Sequence, residues 1–352
     1  MAVTLADVAA RAHVSAATVS RVLSGNYPVA EDTRARVLRA VDELDYVVNG
    51  PASALAAATS DLVGVLVNDV ADPFFGIIAS AVQSELGAGK LPVVCNTGGS
   101  PERELTYLTL LLRQRAAAVV ITGSAVEGGT GEGGADGEHA EAVAARIRRL
   151  AANGTRVVLC GRPAAFAPPG TALTLEFDNT GGARALTEHL IALGHRRIGY
   201  VAGPADRTTT RHRLDGHRAA LAAHGLDGDA GRLTVHGPYD RGSGHAGALE
   251  LLRREPELTA IVGANDTVAL GVGAALRERG LSVPGDVSVA GFDDLPFSAD
   301  MLPSLTTVAL PLQEAGARAA RLALGLEAAP AGGAAVLPYE LRIRQSTGPR
   351  RS

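Results

Sequence analysis

Residues 4–25 read TLADVAARAHVSAATVSRVLSG, and residues 29–49 read VAEDTRARVLRAVDELDYVVN. In the first stretch Leu5, Val8, Ala9 and Ala12 fall at i, i+3, i+4 and i+7, the spacing of one helical face, with Thr4 placed to cap it. A turn at Ala12-His13-Val14 follows. Ser15 then caps a second helix with Val19, Val22 and Leu23 on its apolar side, and Ser24-Gly25-Asn26 ends it. A third helix follows Pro28 through Val37, Leu38, Val41 and Leu44. Two short helices across a tight turn, braced by a third, make a helix-turn-helix module. So small a bundle has little use except to bind something.

Residues 47–60 (VVNGPASALAAATS) are uncharged and small, and Asn49-Gly50-Pro51 breaks the preceding helix. This is a linker with a helix-capable run at 51–58, where proline suits the first turn. From Asp61 onward, apolar β-type runs at 63–67, 92–95, 118–122, 156–160, 197–202, 260–263 and 287–291 alternate with helical stretches at 75–86, 102–115, 184–193, 213–224 and 268–279. That alternation predicts parallel sheets covered on both faces. Such a length divides more naturally into two similar lobes than one sheet. The acidic, glycine-rich stretch 127–141 (EGGTGEGGADGEHAE) reads as a surface loop rather than a metal site.

Composition removes several classes. The chain has 352 residues, 46% hydrophobic and 20% charged, with net charge −4, which fits a large buried core and not global disorder. No apolar run approaches the roughly 18 residues of a membrane span, and the N-terminus lacks the pattern of a secretory signal. Cys95 and Cys160 stand apart, as small buried hydrophobes rather than a disulfide or metal pair, and a reducing cytoplasm fits them. The one lysine, Lys90, lies in Gly87-Ala88-Gly89-Lys90-Leu91, which lacks the earlier glycine and the following Ser/Thr of a P-loop. Gly271-x-Gly273 lies inside a helix, not in the strand-turn-helix setting of a dinucleotide site. No Gly-x-Ser-x-Gly elbow exists, and His212 and His217 are five apart, off a common helical face. No catalytic residue, cofactor or metal is expected.

Several motifs in order resemble the LacI/GalR family of bacterial transcriptional repressors, over essentially the whole chain. Thr4-Leu5-x-Asp7-Val8-Ala9, Val14-Ser15-x-x-Thr18-Val19-Ser20-Arg21-Val22-Leu23 and Thr33-Arg34-x-x-Val37 match the family's DNA-binding head. Asp72-Pro73-Phe74-Phe75, His189-Leu190-x-x-x-Gly194-His195-x-x-Ile198, Ala264-Asn265-Asp266-x-x-Ala269-Leu270-Gly271, Gly291-Phe292-Asp293-Asp294 and Leu305-Thr306-Thr307-Val308 match its sensor. The resemblance implies an α/β chain: an all-α helix-turn-helix head (1–46), a hinge (47–60), and an effector-binding and dimerisation domain (61–345). That domain would have two Rossmann-like lobes of periplasmic-binding-protein type, 61–176 plus 307–322 and 177–306 plus 323–345.

The family pattern assigns roles residue by residue. Ser15, Thr4 and Thr33 would anchor phosphates; Ala16, Ala17 and Arg21 would face bases, with Thr18 and Ser20 on the same recognition helix. Arg21 can pair bidentately with guanine, whereas the alanines offer only methyl contacts. Leu55, in Asn49-x-x-Ala52-x-x-Leu55, would wedge into the minor groove beside its partner's leucine and kink a flexible central step. Two departures stand out. His13 occupies a turn position where the family usually has glycine, and Ser53 stands where members often carry arginine. With five Arg against six Asp and Glu in the first fifty residues, the head should bind DNA non-specifically only weakly.

In the sensor, Asp72, Phe74, Phe75, Phe177, Arg211, Tyr239, Asn265 and Asp293 follow β-type runs, where open α/β sheets bind ligands. Carboxylate, amide and guanidinium beside flat rings suit a sugar. The expected partners are a near-palindromic double-stranded operator, a sugar-like effector and a second copy of the chain, since no C-terminal heptad remains to make a tetramer. Rival readings are a transport-type sugar-binding protein, weakened by the N-terminal extension, and an α/β enzyme using Asp72, Asp178 and Asp293, which lacks a nucleophile–base pair. The effector, the operator and the sign of the response are not readable from the chain.

Overall fold

A computed structural model describes residues 3–24, 28–46, 60–87, 89–126 and 135–350. Residues 1–60 and 61–352 form two compact units. The first holds α1 (Leu5–Ala12), α2 (Ala16–Ser24) and α3 (Glu31–Glu43). Their apolar stripes meet in one small core of Val8, Ala9, Ala12, Val19, Val22, Val37 and Ala40. Thr4 and Asp7 cap α1 reciprocally: the Thr4 N–H donates to the Asp7 carboxylate at 2.8 Å, and the Asp7 N–H donates to the Thr4 hydroxyl at 3.4 Å. His13 ends α1 in the left-handed region, φ 53° and ψ 48°, so this turn does demand what glycine would supply freely.

The second unit is built from β1 (Leu62–Val67), α4 (Pro73–Glu85), β2 (Leu91–Asn96), α5 (Pro101–Arg113), β3 (Ala118–Thr122), α6 (Ala135–Ala152), β4 (Arg156–Cys160), β5 (Leu173–Phe177), α7 (Asn179–Ala192), β6 (Ile198–Ala202) and α8 (Thr208–Ala223). It continues through β7 (Thr234–His236), α9 (Arg241–Arg254), β8 (Ala260–Gly263), α10 (Asp266–Glu278), β9 (Ser288–Asp293), α11 (Phe297–Asp300), β10 (Thr306–Ala309), α12 (Leu312–Leu324), β11 (Ala334–Leu337) and β12 (Glu340–Arg342). Two six-stranded sheets result, in the orders β11-β5-β4-β3-β1-β2 and β12-β10-β9-β8-β6-β7, parallel except for the β10–β12 pair. Strands buried on both faces explain the near-continuous apolar runs. Val63, Val65 and Val67 of β1 face one layer while Leu66 faces the other with Leu108 and Ile147.

The chain passes between the lobes three times, and each passage corrects the boundaries the motifs suggest. Phe177, expected to open the second lobe, is the last residue of β5 in the first. Residues 306–309, split by the expected boundary at 307, all belong to the second lobe, where β10 pairs with β9. Residues 334–337, expected in the second lobe, add β11 to β5 of the first. The change of lobe therefore waits for Leu310-Pro311, which frees the chain from β10, and reverses only after Leu337. The second lobe also runs past 345: the Ser346 hydroxyl donates to the Val289 carbonyl at 2.6 Å, and the Arg350 N–H donates to that of Leu193 at 3.0 Å. The acidic stretch expected as loop to 141 is helical from Ala135, where the small and helix-favouring residues of α6 begin.

Helix pairs α7–α8 and α9–α10 approach so closely that glycines line the contacts. A Cβ on Gly271 would run into the Arg241 carbonyl oxygen, whereas Gly273, two residues on and about 200° around the same helix, has no heavy atom within 4 Å of its Cβ position. The two substitutions should therefore have opposite signs. Gly271→Ala is expected to destabilise by about 1–3 kcal/mol through overpacking, and Gly273→Ala to stabilise by about 0.5–1 kcal/mol through helix propensity. Urea unfolding followed by circular dichroism checks both; equal effects would refute the packing argument.

Candidate functional site

Two candidate surfaces follow from the elements, one in each unit. In the head, Ser15 caps α2: the Thr18 N–H donates to its hydroxyl at 3.2 Å, and the two hydroxyls lie 2.9 Å apart. Val19 and Val22 turn inward, which leaves Ala16, Ala17, Ser20 and Arg21 exposed along one side of the helix. Thr18 and Thr33 are half-buried, and Thr4 is exposed with its hydroxyl donating to Asp7 at 2.6 Å. Leu55 and Ser53 lie outside the described residues.

In the second unit a cleft of about 320 Å³ opens between the carboxyl ends of the two sheets. Asp72, Phe74, Phe75, Phe177, Tyr239, Asn265 and Asp293 all line it, as expected. Arg211 does not. It is exposed, while Arg213 lines the cleft instead. Two residues along a helix turn a side chain through about 200°, and the two arginines stand two apart in Thr210-Arg211-x-Arg213-Leu214-x-Gly216, so only the phase of α8 separates them. Asn68, Asp69, Asn179, Arg207 and Asp240 also line the cleft. A larger groove of about 700 Å³ on the first lobe is walled mainly by Ala, Gly and Pro, including Ala151, Pro168 and Gly332, and gathers few polar groups.

The first lobe contributes rings. Phe74 and Phe75 pack edge to face at 5.0 Å between centroids, and Phe74 and Phe177 at 6.1 Å. The second lobe contributes a fixed polar wall. Arg213 donates to the Asn179 side-chain oxygen at 2.8 Å, the Ala264 carbonyl at 2.6 Å and the Asp293 carboxylate at 2.7 Å, and its guanidinium lies 3.8 Å above the Phe292 ring centroid. Asn265 caps α10 by accepting the Val268 N–H at 2.9 Å, which leaves its amide nitrogen as a donor. The Tyr239 and Thr210 hydroxyls lie 2.6 Å apart. Asp293 sits at φ 102° and Asp294 at φ 54°. That turn is held by buried Asp266, which accepts from the Leu295 N–H and the Ser298 hydroxyl at 2.7 Å each and the Thr307 hydroxyl at 2.6 Å.

The carboxylates crowd one another. Burial pushes Asp72 up to about 6, and the nearby Asp293 and Asp69 charges add to this against the Phe74 N–H and Arg213. Burial, with the Asp293 charge, raises Asp266 to about 7. Asp293 is also raised by burial, against the opposing pull of Arg213. No nucleophile is activated by this arrangement. It is a cavity that offers acceptors to a ligand rich in donors.

Residues 4–49 match the bacterial regulatory proteins of the lacI family, and residues 187–347 match the periplasmic binding protein-like domain. The chain is 35% identical to the HTH-type transcriptional regulator GalR of Escherichia coli K12, over 92% of this chain and 89% of that protein. It therefore belongs to the LacI family of transcriptional regulators. Among solved structures it is similar to a complex of the regulator CelR with cellobiose, at 32% identity and TM-score 0.68, covering 98% of this chain and 99% of that one. It is also similar to the lac repressor dimer bound to operator and the anti-inducer ONPF, at 29% identity and TM-score 0.77, covering 99% and 100%. Among the described residues no helix is long and apolar enough to cross a membrane.

Because the fold holds the Asp72 proton more tightly than the unfolded chain does, stability is lost as pH rises from about 4 to about 6. Asp72→Asn keeps the cap on α4 while removing that charge. It should stabilise the free protein by on the order of 1–2 kcal/mol at pH 7.5 and by almost nothing near pH 4. Thermal unfolding at the two pH values checks this; a gain that does not change with pH would sink it.

Proposed function

We propose that this regulator represses transcription as a dimer on a near-palindromic operator and that a sugar in the inter-lobe cleft controls its grip. The observation that carries the reading is the cleft itself, lined by three phenylalanine rings and the Asp72 carboxylate of one lobe and by the Asn265 amide and the Asp293 carboxylate of the other. Carboxylates raised by burial, with Arg213 already committed to three acceptors, favour a neutral ligand dense in hydroxyl donors. Among relatives, a cellobiose complex is consistent with that chemistry.

On DNA, α2 lies in the major groove with Arg21 pairing a guanine and Ala16 and Ala17 contacting thymine methyls. Thr18 and Ser20 flank these contacts, and Ser15, Thr4 and Thr33 hold phosphates. Leu55 of each subunit enters the minor groove at a flexible central step. The head acts as 1–46, the hinge as 47–60 and the sensor from 61 onward, in the cytoplasm. Linkage requires the effector to change operator affinity by its differential affinity for the two DNA-binding states.

Selection of bound duplexes from a random library tests this with the full chain. A palindromic winner is expected, with Arg21→Ala weakening it by about 5- to 150-fold, the worth of one bidentate base contact. Cellobiose and galactose titrated into the complex should include one that shifts affinity by about fivefold or more. An asymmetric winner, or no enrichment at low salt, would contradict the dimeric-operator reading.

A further inference from the structure

We infer that Arg207 and Thr208 form a clasp that holds the two lobes together along the side of the cleft opposite the crossovers. The three crossovers leave and enter through β5, β10, β11 and β12, toward one end of each sheet. Toward the other end, the loop after β6 reaches the first lobe at two places. The Arg207 guanidinium donates to the Gly99 carbonyl at 2.9 Å. The Thr208 N–H donates to the Ala125 carbonyl at 3.1 Å, the Ala125 N–H donates to the Thr208 hydroxyl at 3.2 Å, and Arg207 and Val126 form an antiparallel bridge.

The local chemistry suits a clasp. Gly98 and Gly99 both hold positive φ, 60° and 71°, a backbone that glycine adopts without strain, and a Cβ on Gly99 would stand in contact with the Arg207 guanidinium. Two of the first-lobe partners are backbone atoms beyond β3, so the contact needs no particular side chain there. Thr208 is buried, 1% exposed, although it stands in the first turn of a helix.

That same turn reaches the cleft. Thr209 lines it, Thr210 pairs with Tyr239, and Arg213 one turn on pairs with Asp293. The start of α8 is thus tied to the first lobe on one side and to the ligand-binding wall on the other. A ligand that draws on that wall tightens the clasp, and release of the clasp loosens the wall. In this scheme Thr208 is a positioning residue and Arg207, which also lines the cleft, belongs to both clasp and cleft; the consequence for binding rests on the effector reading of the cleft.

Hydrogen exchange on the full chain tests the clasp without any ligand. The Ala125 and Thr208 amides should be protected in the parent, and Arg207→Ala should speed their exchange about three- to tenfold, the effect of losing one net hydrogen bond. Strand amides such as Val120 and Val201 should be unchanged. Equal exchange in parent and variant, or no protection in the parent, would overturn the clasp. Thr208→Val, which does not line the cleft, supplies the second arm through thermal shifts with cellobiose and galactose. A reduced ligand shift supports the tie to the binding wall, and a full shift overturns it. If neither sugar shifts the parent, the effector reading fails for these sugars, while the exchange result still decides the clasp.

Discussion

The ion pair between Arg213 and Asp293 organises the second lobe. Both side chains are almost wholly withdrawn from water, and a buried pair is tolerable only when its remaining donors are also satisfied. Here each Arg213 branch has a partner, and the partners lie on α7, at the end of β8 and at the end of β9, with Arg213 itself on α8. Four elements are thereby fixed at the mouth of one sheet. Removing either charge would leave the other buried and uncompensated, a loss of about 3–5 kcal/mol in comparable cases. The pair that holds these elements together also lines the cleft, so on the proposed reading the same two residues serve folding and binding.

Around this pair the electrostatics run against stability. Asp72, Asp266 and Asp293 share a confined region, and burial disfavours ionisation of each. Asp266 is offset by three donors, whereas Asp72 accepts from the Phe74 N–H and is drawn down further by the Arg213 charge. The strained turn at Asp293 and Asp294 adds to the cost. On the proposed reading of the cleft, a ligand that supplies hydroxyl donors relieves this crowding. The aromatic wall has no such conflict, since Phe74 and Phe177 are almost as buried as core residues.

How much of this the chain discloses depends on the length and regularity of each signal. The head is legible because helix period, caps and a small apolar set agree, and the structure returns most of that set as its core; the exception is Leu38, which is exposed, while Ala40 on the inward face of α3 takes a core place. The cleft residues are legible where they end or follow a continuous, wholly buried apolar run, as Asp293 does at the end of β9 and Asn265 does just beyond β8. Arg211 and Arg213 differ only by helical phase, which the surrounding residues of α8 do not resolve from sequence alone. Asn68, Asp69 and Asp240 sit in loops with no periodicity to mark them. The lobe boundaries fail for a similar reason: β10, β11 and β12 are three or four residues each, too short to carry alternation, and their lobe is set by pairing with distant strands.

The clasp and the ligand have to be commensurate if the sensor is to respond. Three cross-lobe hydrogen bonds, at roughly 0.5–1.5 kcal/mol net apiece, contribute about 1.5–4.5 kcal/mol. Ordering the loops that make them subtracts from that figure. The remainder is comparable with the 1–3 kcal/mol over which typical effectors couple to a second site. A much stronger closure would leave the lobes shut whether or not ligand were present, and a ligand with equal affinity for both states shifts nothing. A much weaker one would make the ligand supply all the closing free energy and lower its apparent affinity accordingly. Backbone acceptors at Gly99 and Ala125, met by one guanidinium and one threonine, place the lobes between these limits.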